Sequence, residues 1–222
     1  MSETADTEFF QELRVTDRNL ETYKKFVHFM PEALPEKAVV LNVGGGEKQI
    51  FEKELKEIRP DINVITIDPS IFSDKSWHFS GKDLVSYNRD KMISRIDSLA
   101  NKSHTVAAYG QRLPLASDSV DAILDIHAAS QWATSLESYK TFLEEAMRVL
   151  RVGGKLYIGN VYFGDPIIGD EKSEIETLRE ARSVFDSLGL DADVFLSTEK
   201  VLPEYEGKTN VPDKRVCAIV SK

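Results

Sequence analysis

The stretch Val39-Val40-Leu41-Asn42-Val43-Gly44-Gly45-Gly46-Glu47-Lys48 decides the fold. Apolar residues run into three glycines, and Ile50, Phe51, Leu55 and Ile58 follow at helical spacing. That order reads as a buried strand, a tight glycine turn and a helix. Glycine has no Cβ, so the backbone of such a turn can come close to a ligand. A second β-rich run, Val64-Ile65-Thr66-Ile67, ends at Asp68. An acidic residue about 20 residues past the glycine turn, at the tip of the next strand, is placed to accept hydrogen bonds from a ribose diol. Together these features predict a nucleoside-cofactor site on a βαβ unit. The plainer alternative is a glycine turn that only packs helix on strand.

Upstream, Leu20, Tyr23, Phe26, Val27 and Met30 predict a helix over 17–30, ended by Pro31 and Pro35. Such a helix either packs on the sheet, the reading preferred here, or covers the cofactor cleft. Downstream of Asp68, Trp77 and Phe79 read as core anchors in an insertion-like segment over 69–103. Ser80 serves as a helix cap there, and Leu84, Met92, Ile93, Ile96 and Leu99 suggest a helix. Strands are predicted at Thr105–Tyr109 and Val120–Ile126, joined by the loop Gly110–Leu115 and a turn at Ser117–Ser119. Thr134 and Glu137 have capping-box spacing. The helix they start carries Leu136, Tyr139, Leu143, Met147 and Leu150 on one face, with Gly153-Gly154 as its stop. A strand at Lys155–Gly159 follows. A helix over 172–188 comes next, with Ile175, Leu178, Phe185 and Leu188 in phase. Strands at about 192–197 and 215–220 have no helix between them, as in an antiparallel hairpin at a sheet edge. The chain has no repeat and no linker. It reads as one domain over 1–222, a helical extension at 1–37 followed by a Rossmann-like core at 38–222.

Composition narrows the function. The 222 residues are 41% hydrophobic and 29% charged, as in a soluble globular protein. No apolar run reaches the length of a membrane helix, and Met1–Asp6 lacks an apolar signal core. The lone Cys217 lies in the apolar run Val216–Val220, as a packed thiol does. These features favour a cytoplasmic protein with no membrane contact. A net charge of −9, with basic residues scattered among acids, argues against extended nucleic-acid binding. A small-molecule or protein substrate is favoured instead.

Four separated segments form one pattern. They are the glycine turn, Asp68, the pair Gln111–Leu115 with Ser119–Ile123, and Glu144-Glu145-Ala146-Met147-Arg148-Val149-Leu150-Arg151-Val152-Gly153-Gly154-Lys155-Leu156. On these residues the chain resembles a class I S-adenosylmethionine-dependent methyltransferase, most similar to the type 11 group of small-molecule methyltransferases. The resemblance covers about Val39 to Val161. It implies an α/β fold: a Rossmann-like, seven-stranded, mostly parallel sheet with helices on both faces and an antiparallel C-terminal strand. An NAD-binding domain would need glycine at position 49, which is Gln49.

The resemblance also implies residue roles. Asn42, Gly44, Gly45 and Gly46 would line the methionine and ribose parts of S-adenosyl-L-methionine. Asp68 would hold the ribose hydroxyls, Pro69 would pack on the adenine, and Tyr109, Gly110 and Gln111 would meet its edge. His127, after strand four, would face the methyl group and the substrate as the candidate general base, its ordinary pKa suiting proton removal. A histidine stabilising the strand end is the alternative. Asp125 and Trp132 are the further substrate-binding candidates. Asp121 reads as a holder of the strand entrance. No metal is implied, because the sulfonium leaves as a neutral thioether. Nor does an Asp-Pro-Pro-Tyr or Asn-Pro-Pro-Tyr motif for base methylation follow strand four. The chain departs from the family at Asn42, where an acid is usual, at Lys48, where the third glycine is usual, and at Tyr109, where many members have an acid. Two functions therefore stand side by side: a methyltransferase for a small-molecule acceptor, and an inactive methyltransferase-like binding or scaffold protein.

Overall fold

The computed structural model describes residues 18–45, 49–67, 104–106, 110–126, 128–129, 133, 135–159, 161, 174–197 and 215–222. Helix α1, Leu20–Val27, starts at Asn19, whose side chain accepts from the Thr22 amide, and ends at His28 in the left-handed conformation, φ 55°. It is shorter than the apolar spacing predicts, stopping before Pro31, which opens a separate 3₁₀ turn, Pro31–Ala33. Strand β1, Val39–Val43, leads through the glycine turn to helix α2, Ile50–Ile58. Strands β2, Asn63–Ile67, β3, His104–Val106, and β4, Val120–Ile126, follow. Helix α3, Leu136–Val149, runs straight into β5, Leu150–Gly159. Helix α4, Glu174–Asp186, and strands β6, Asp191–Ser197, and β7, Arg215–Ser221, complete the chain.

The strands form a single sheet in the order β3-β2-β1-β4-β5-β7-β6. Pairings from β3 through to β5 are parallel. Strand β7 runs antiparallel to both β5 and β6, which leaves β6 at the edge. The expected antiparallel C-terminal strand and edge hairpin are therefore present.

Side chains alternate across the sheet, and each face has its own core. Leu41, Val43, Ile123, Leu156 and Ile158 meet Tyr139, Phe142 and Leu143 of α3 and Ala181 and Phe185 of α4. On the other face Val40, Val64, Leu124 and Tyr157 meet Tyr23 and Phe26 of α1 and Phe51 and Leu55 of α2. Helix α1 is thus packed on the sheet. Among the described residues no helix is long and apolar enough to cross a membrane.

Several helix faces differ from the sequence expectation. Helix α2 buries Glu52 beside Phe51 and Leu55, while Ile58 is exposed. Helix α3 buries Tyr139, Phe142, Leu143, Ala146 and Val149, and exposes Leu136. Its N-cap is Ser135, which accepts from the Ser138 amide, one residue later than the capping-box spacing suggests. Ile175 of α4 is exposed, whereas Thr177, Ala181 and Phe185 are buried. Each shift has one cause: the sheet surface selects the arc of helix it covers, and a polar residue inside that arc is buried with it. Gly153-Gly154 do not stop α3, because β5 begins before them at Leu150. Gly153, at φ +82°, instead lies where the β4–β5 register shifts between Val120 and Ala122. That is the geometry of a bulge.

Candidate cofactor site

The C-terminal ends of β1, β2 and β4 lie side by side, with Asn42 opposite both Thr66 and Leu124. Ligands of open α/β sheets bind beyond this edge. The turn after β1 is clamped there. Gly44 has φ +71°, and its amide donates to the Ile67 carbonyl at 2.7 Å. A Cβ on Gly44 would overlap the methyl of Ala128, which follows β4. A Cβ on Gly45 would lie 2.5 Å from Thr66 Cγ2 and 2.6 Å from Glu52 Oε1. Glycine is required at both positions by crowding from the protein itself.

Beneath the turn is a buried polar network. Tyr23 Oη donates to Asn42 Oδ1 at 3.2 Å, and Asn42 Nδ2 donates to Glu52 Oε1 at 2.7 Å. Thr66 Oγ1 donates to the same Glu52 oxygen at 2.8 Å. Asn42 and Thr66 are fully buried, and Glu52 is 3% exposed. Burial, together with nearby Glu52, pushes the Tyr23 hydroxyl up to about 12, with Arg18 and the Asn42 hydrogen bond acting in the opposite direction. Sequence reasoning assigned Asn42 to the cofactor. The structure commits its amide oxygen to Tyr23 and its amide nitrogen to Glu52, on the sheet face covered by α1 and α2. Tyr23, Glu52 and Thr66 were not singled out as site residues. A signal existed for Glu52: it follows Phe51 and lies one turn before Leu55, on the buried arc of α2.

Asp125 lies on the opposite face of the sheet from Asn42 and is fully buried. Its Oδ1 accepts from the amides of Ala128 and Ala129 at 3.2 and 2.8 Å. The carboxylate, predicted to meet substrate, thus fastens the turn that leaves β4. Burial, reinforced by Asp125, raises the Tyr139 hydroxyl well above its ordinary value.

Gly110 sits against Ala129 and Phe142: an added Cβ would lie 2.9 Å from each. Gln111 Nε2 donates to Ser138 Oγ at 3.2 Å. The loop that follows is held by α3. Arg148 donates to the carbonyls of Leu113 and Leu115 at 3.0 and 2.9 Å, and Glu145 accepts from the Leu113 amide at 3.0 Å. Arg148 and Glu145 also pair with each other at 2.8 Å. That hydrogen bond, ahead of the Leu113 amide, holds the Glu145 carboxyl below its usual range. Asp121 accepts from the Val39 amide at 2.7 Å and pairs with Arg151 at 2.8 Å, holding the strand entrance. Two of the four motif segments are therefore tied directly to one another. Gly46, Lys48, Asp68, Pro69, Tyr109, His127 and Trp132 lie outside the described residues.

The chemistry of this edge suits S-adenosylmethionine. A turn without side chains gives a ligand access to main chain, and a buried carboxylate beneath it suits the cofactor's ammonium and sulfonium. A groove of about 380 Å³ lined by Lys155, Arg182, Asp191 and Asp193 lies toward the other end of β5 and takes no part in this edge.

The family model described as a methyltransferase domain matches residues 75–158. The match begins beyond the glycine turn and Asp68. No curated protein matches the chain in sequence. Solved structures share its fold. The Burkholderia thailandensis 1,6-didemethyltoxoflavin-N1-methyltransferase, seen with bound 1,6-didemethyltoxoflavin and S-adenosylhomocysteine, superposes with a TM-score of 0.54 at 15% identity, over 99% of this chain and 86% of that one. A SAM-dependent methyltransferase from Aquifex aeolicus gives 0.50 at 17% identity, over 99% and 97%. The N-methyltransferase NodS from Bradyrhizobium japonicum gives 0.50 at 13%, over 97% of each chain. The matched segment and the shared fold agree with the four sequence segments: residues 75–158 resemble a methyltransferase domain, and the sheet has the fold of solved SAM-dependent methyltransferases.

Proposed function

We propose that the protein transfers the methyl group of S-adenosylmethionine to a small-molecule acceptor by in-line displacement. The observation that carries this reading is the meeting of the Gly44-Gly45 turn with the Asp125–Ala129 turn, where Gly44 packs on Ala128. It supports a cofactor laid across the ends of β1 and β4, with the acceptor approaching from the β4 side.

In the transfer the sulfur–methyl bond breaks as the acceptor–methyl bond forms. The sulfonium leaves as a neutral thioether, and the acceptor gives up a proton to a base. Because no charge builds on the leaving group, alignment and water exclusion are the protein's tasks. Gly44, Gly45 and Gly46 would admit the methionine end, and Asp68 would hold the ribose. Gly110 and Gln111, together with Tyr109 and Pro69, would border the adenine. His127 is the proposed proton acceptor, with Trp132 as a wall for the substrate. Asp125 acts by fixing the backbone at Ala128 and Ala129.

The net charge of −9 supports a small acceptor over an extended polyanion. The composition also supports a cytoplasmic site of action.

Calorimetric titration of the purified chain with S-adenosylmethionine and S-adenosylhomocysteine tests the reading. Micromolar binding that is lost in Asp68→Ala is the expected result. Folded protein that takes up neither ligand at millimolar concentration overturns it in favour of an inactive scaffold.

A further inference from the structure

We propose that Glu52 orients the cationic end of the cofactor from beneath the glycine turn, supplying the negative charge that β1 itself lacks. The proposal rests on the reading of this edge as the S-adenosylmethionine site.

Glu52 stands in the first turn of α2 and is almost wholly buried. Its Oε1 gathers two donors, Asn42 Nδ2 at 2.7 Å and Thr66 Oγ1 at 2.8 Å. These are the penultimate residues of β1 and β2, so one oxygen ties both strand ends together. The same oxygen lies 2.6 Å from where a Gly45 Cβ would be. The carboxylate is therefore pressed against the main chain of the turn.

A carboxylate is costly to bury, and in low dielectric its field reaches further than in water. Among the described residues Arg18 brings a cation to this network, hydrogen-bonding to Tyr23. From Arg18 the chain of contacts runs through Tyr23 and Asn42 to Glu52. Arg18 thus stands at the Tyr23 end of this chain of contacts, and the Gly45 main chain stands at its Glu52 end. A ligand bringing an ammonium and a sulfonium to that turn approaches the Glu52 carboxylate across the main chain of Gly45. Since Glu52 touches the turn and not the ligand, it is a positioning residue.

The test separates charge from architecture. Glu52→Gln keeps an oxygen able to accept from both Asn42 and Thr66 and removes only the charge. Affinities of full-length wild type and variant are measured for S-adenosylmethionine, S-adenosylhomocysteine and 5′-methylthioadenosine, the last lacking the amino-acid end. Glu52→Gln is expected to weaken S-adenosylmethionine about tenfold and to leave methylthioadenosine within about twofold. Adding Asn42→Asp to that variant returns the charge to the site and restores the affinity. Equal losses for all three ligands, or no loss at all, overturn the proposal while leaving the site reading intact. Wild type that binds none of the three overturns the site reading and this proposal with it. A measurement independent of any variant is the preference of wild type for S-adenosylhomocysteine over its deaminated analogue. About tenfold is expected, and equal affinity overturns the proposal.

Discussion

The side-chain amide of Asn42 donates to Glu52 Oε1 across 2.7 Å of buried space, joining the end of β1 to the first turn of α2. An acid at position 42, which the sequence pattern invites as a repair, would place two carboxylates in contact with no water between them. Asn42→Asp alone is expected to destabilise the fold by about 2–4 kcal/mol, through repulsion or forced protonation. Glu52→Gln should relieve most of that loss. Denaturant unfolding of the two single variants and the double variant measures the coupling, and additive effects contradict it.

Gly45→Ala is expected to be costly although nothing in its φ demands glycine. The new methyl meets Thr66 Cγ2 at 2.5 Å and Glu52 Oε1 at 2.6 Å, in a network whose members are already hydrogen-bonded. Overpacking of this kind costs about 1–3 kcal/mol. Thermal unfolding checks the cost. Stability equal to wild type means that the network yields more easily than its geometry implies.

Arg148 carries the Gln111–Leu115 loop on a planar fork, with one nitrogen on Leu115 O, one on Leu113 O, and Glu145 bridging back. Arg148→Ala should lower stability by about 1–3 kcal/mol and speed hydrogen exchange at the Leu113 amide. Arg148→Lys should recover little, because a single ammonium cannot reproduce the spread of the fork.

Tyr23 makes stability sensitive to alkali. Burial raises its hydroxyl from 10.0 to about 12. A group that holds its proton more tightly when folded contributes fully below its unfolded pKa. That contribution is lost as pH rises from about 10 toward 12. The shift corresponds to about 3 kcal/mol. Tyr23→Phe should flatten the stability profile across that window, and a profile as steep as wild type counts against the assignment.

Asp61 acts at the acid end. The Arg59 guanidinium at 2.9 Å, and then the Lys37 amide, hold its carboxyl far below the ordinary range. A depressed carboxyl contributes above its unfolded pKa near 4, and the contribution is lost as pH falls toward the folded value. Asp61→Asn should therefore be less stable than wild type at neutral pH. The two melting curves should converge as the medium is acidified.

The sheet was legible because strands announce themselves locally. Val39–Val43, Val64–Ile67, Val120–Ile126 and Arg215–Val220 are compact apolar runs bounded by turns, and all four lie in strands. Helix faces were less legible. Ile58, Leu136 and Ile175 fit an apolar period yet are exposed, because the choice of arc depends on the sheet surface opposite. Within the site, the glycines were readable from their lack of side chains, but what crowds them was not. Ala128, beyond the end of β4, and Thr66 of β2 reach Gly44 and Gly45, and spacing along one segment cannot report such a contact. Glu52 was hardest to read, since beside Glu54 and Glu57 in an amphipathic helix it has the composition of a solvated face. The Arg148 and Glu145 pair was visible as a motif, while its task, holding a loop more than thirty residues earlier, required the fold.

The strand order also sets when the site can exist. Strand β1 is paired on one side by β4, and the Val39 amide is tied to Asp121, 82 residues further along the chain. Gly44 in turn leans on Ala128. A chain emerging from the ribosome therefore makes its glycine turn early but has no wall to set it against until β4 has followed. Closing so long a loop precedes the contacts that reward it, which slows folding. Cofactor competence should arrive late in synthesis, as a property of the nearly finished sheet rather than of its first βαβ unit.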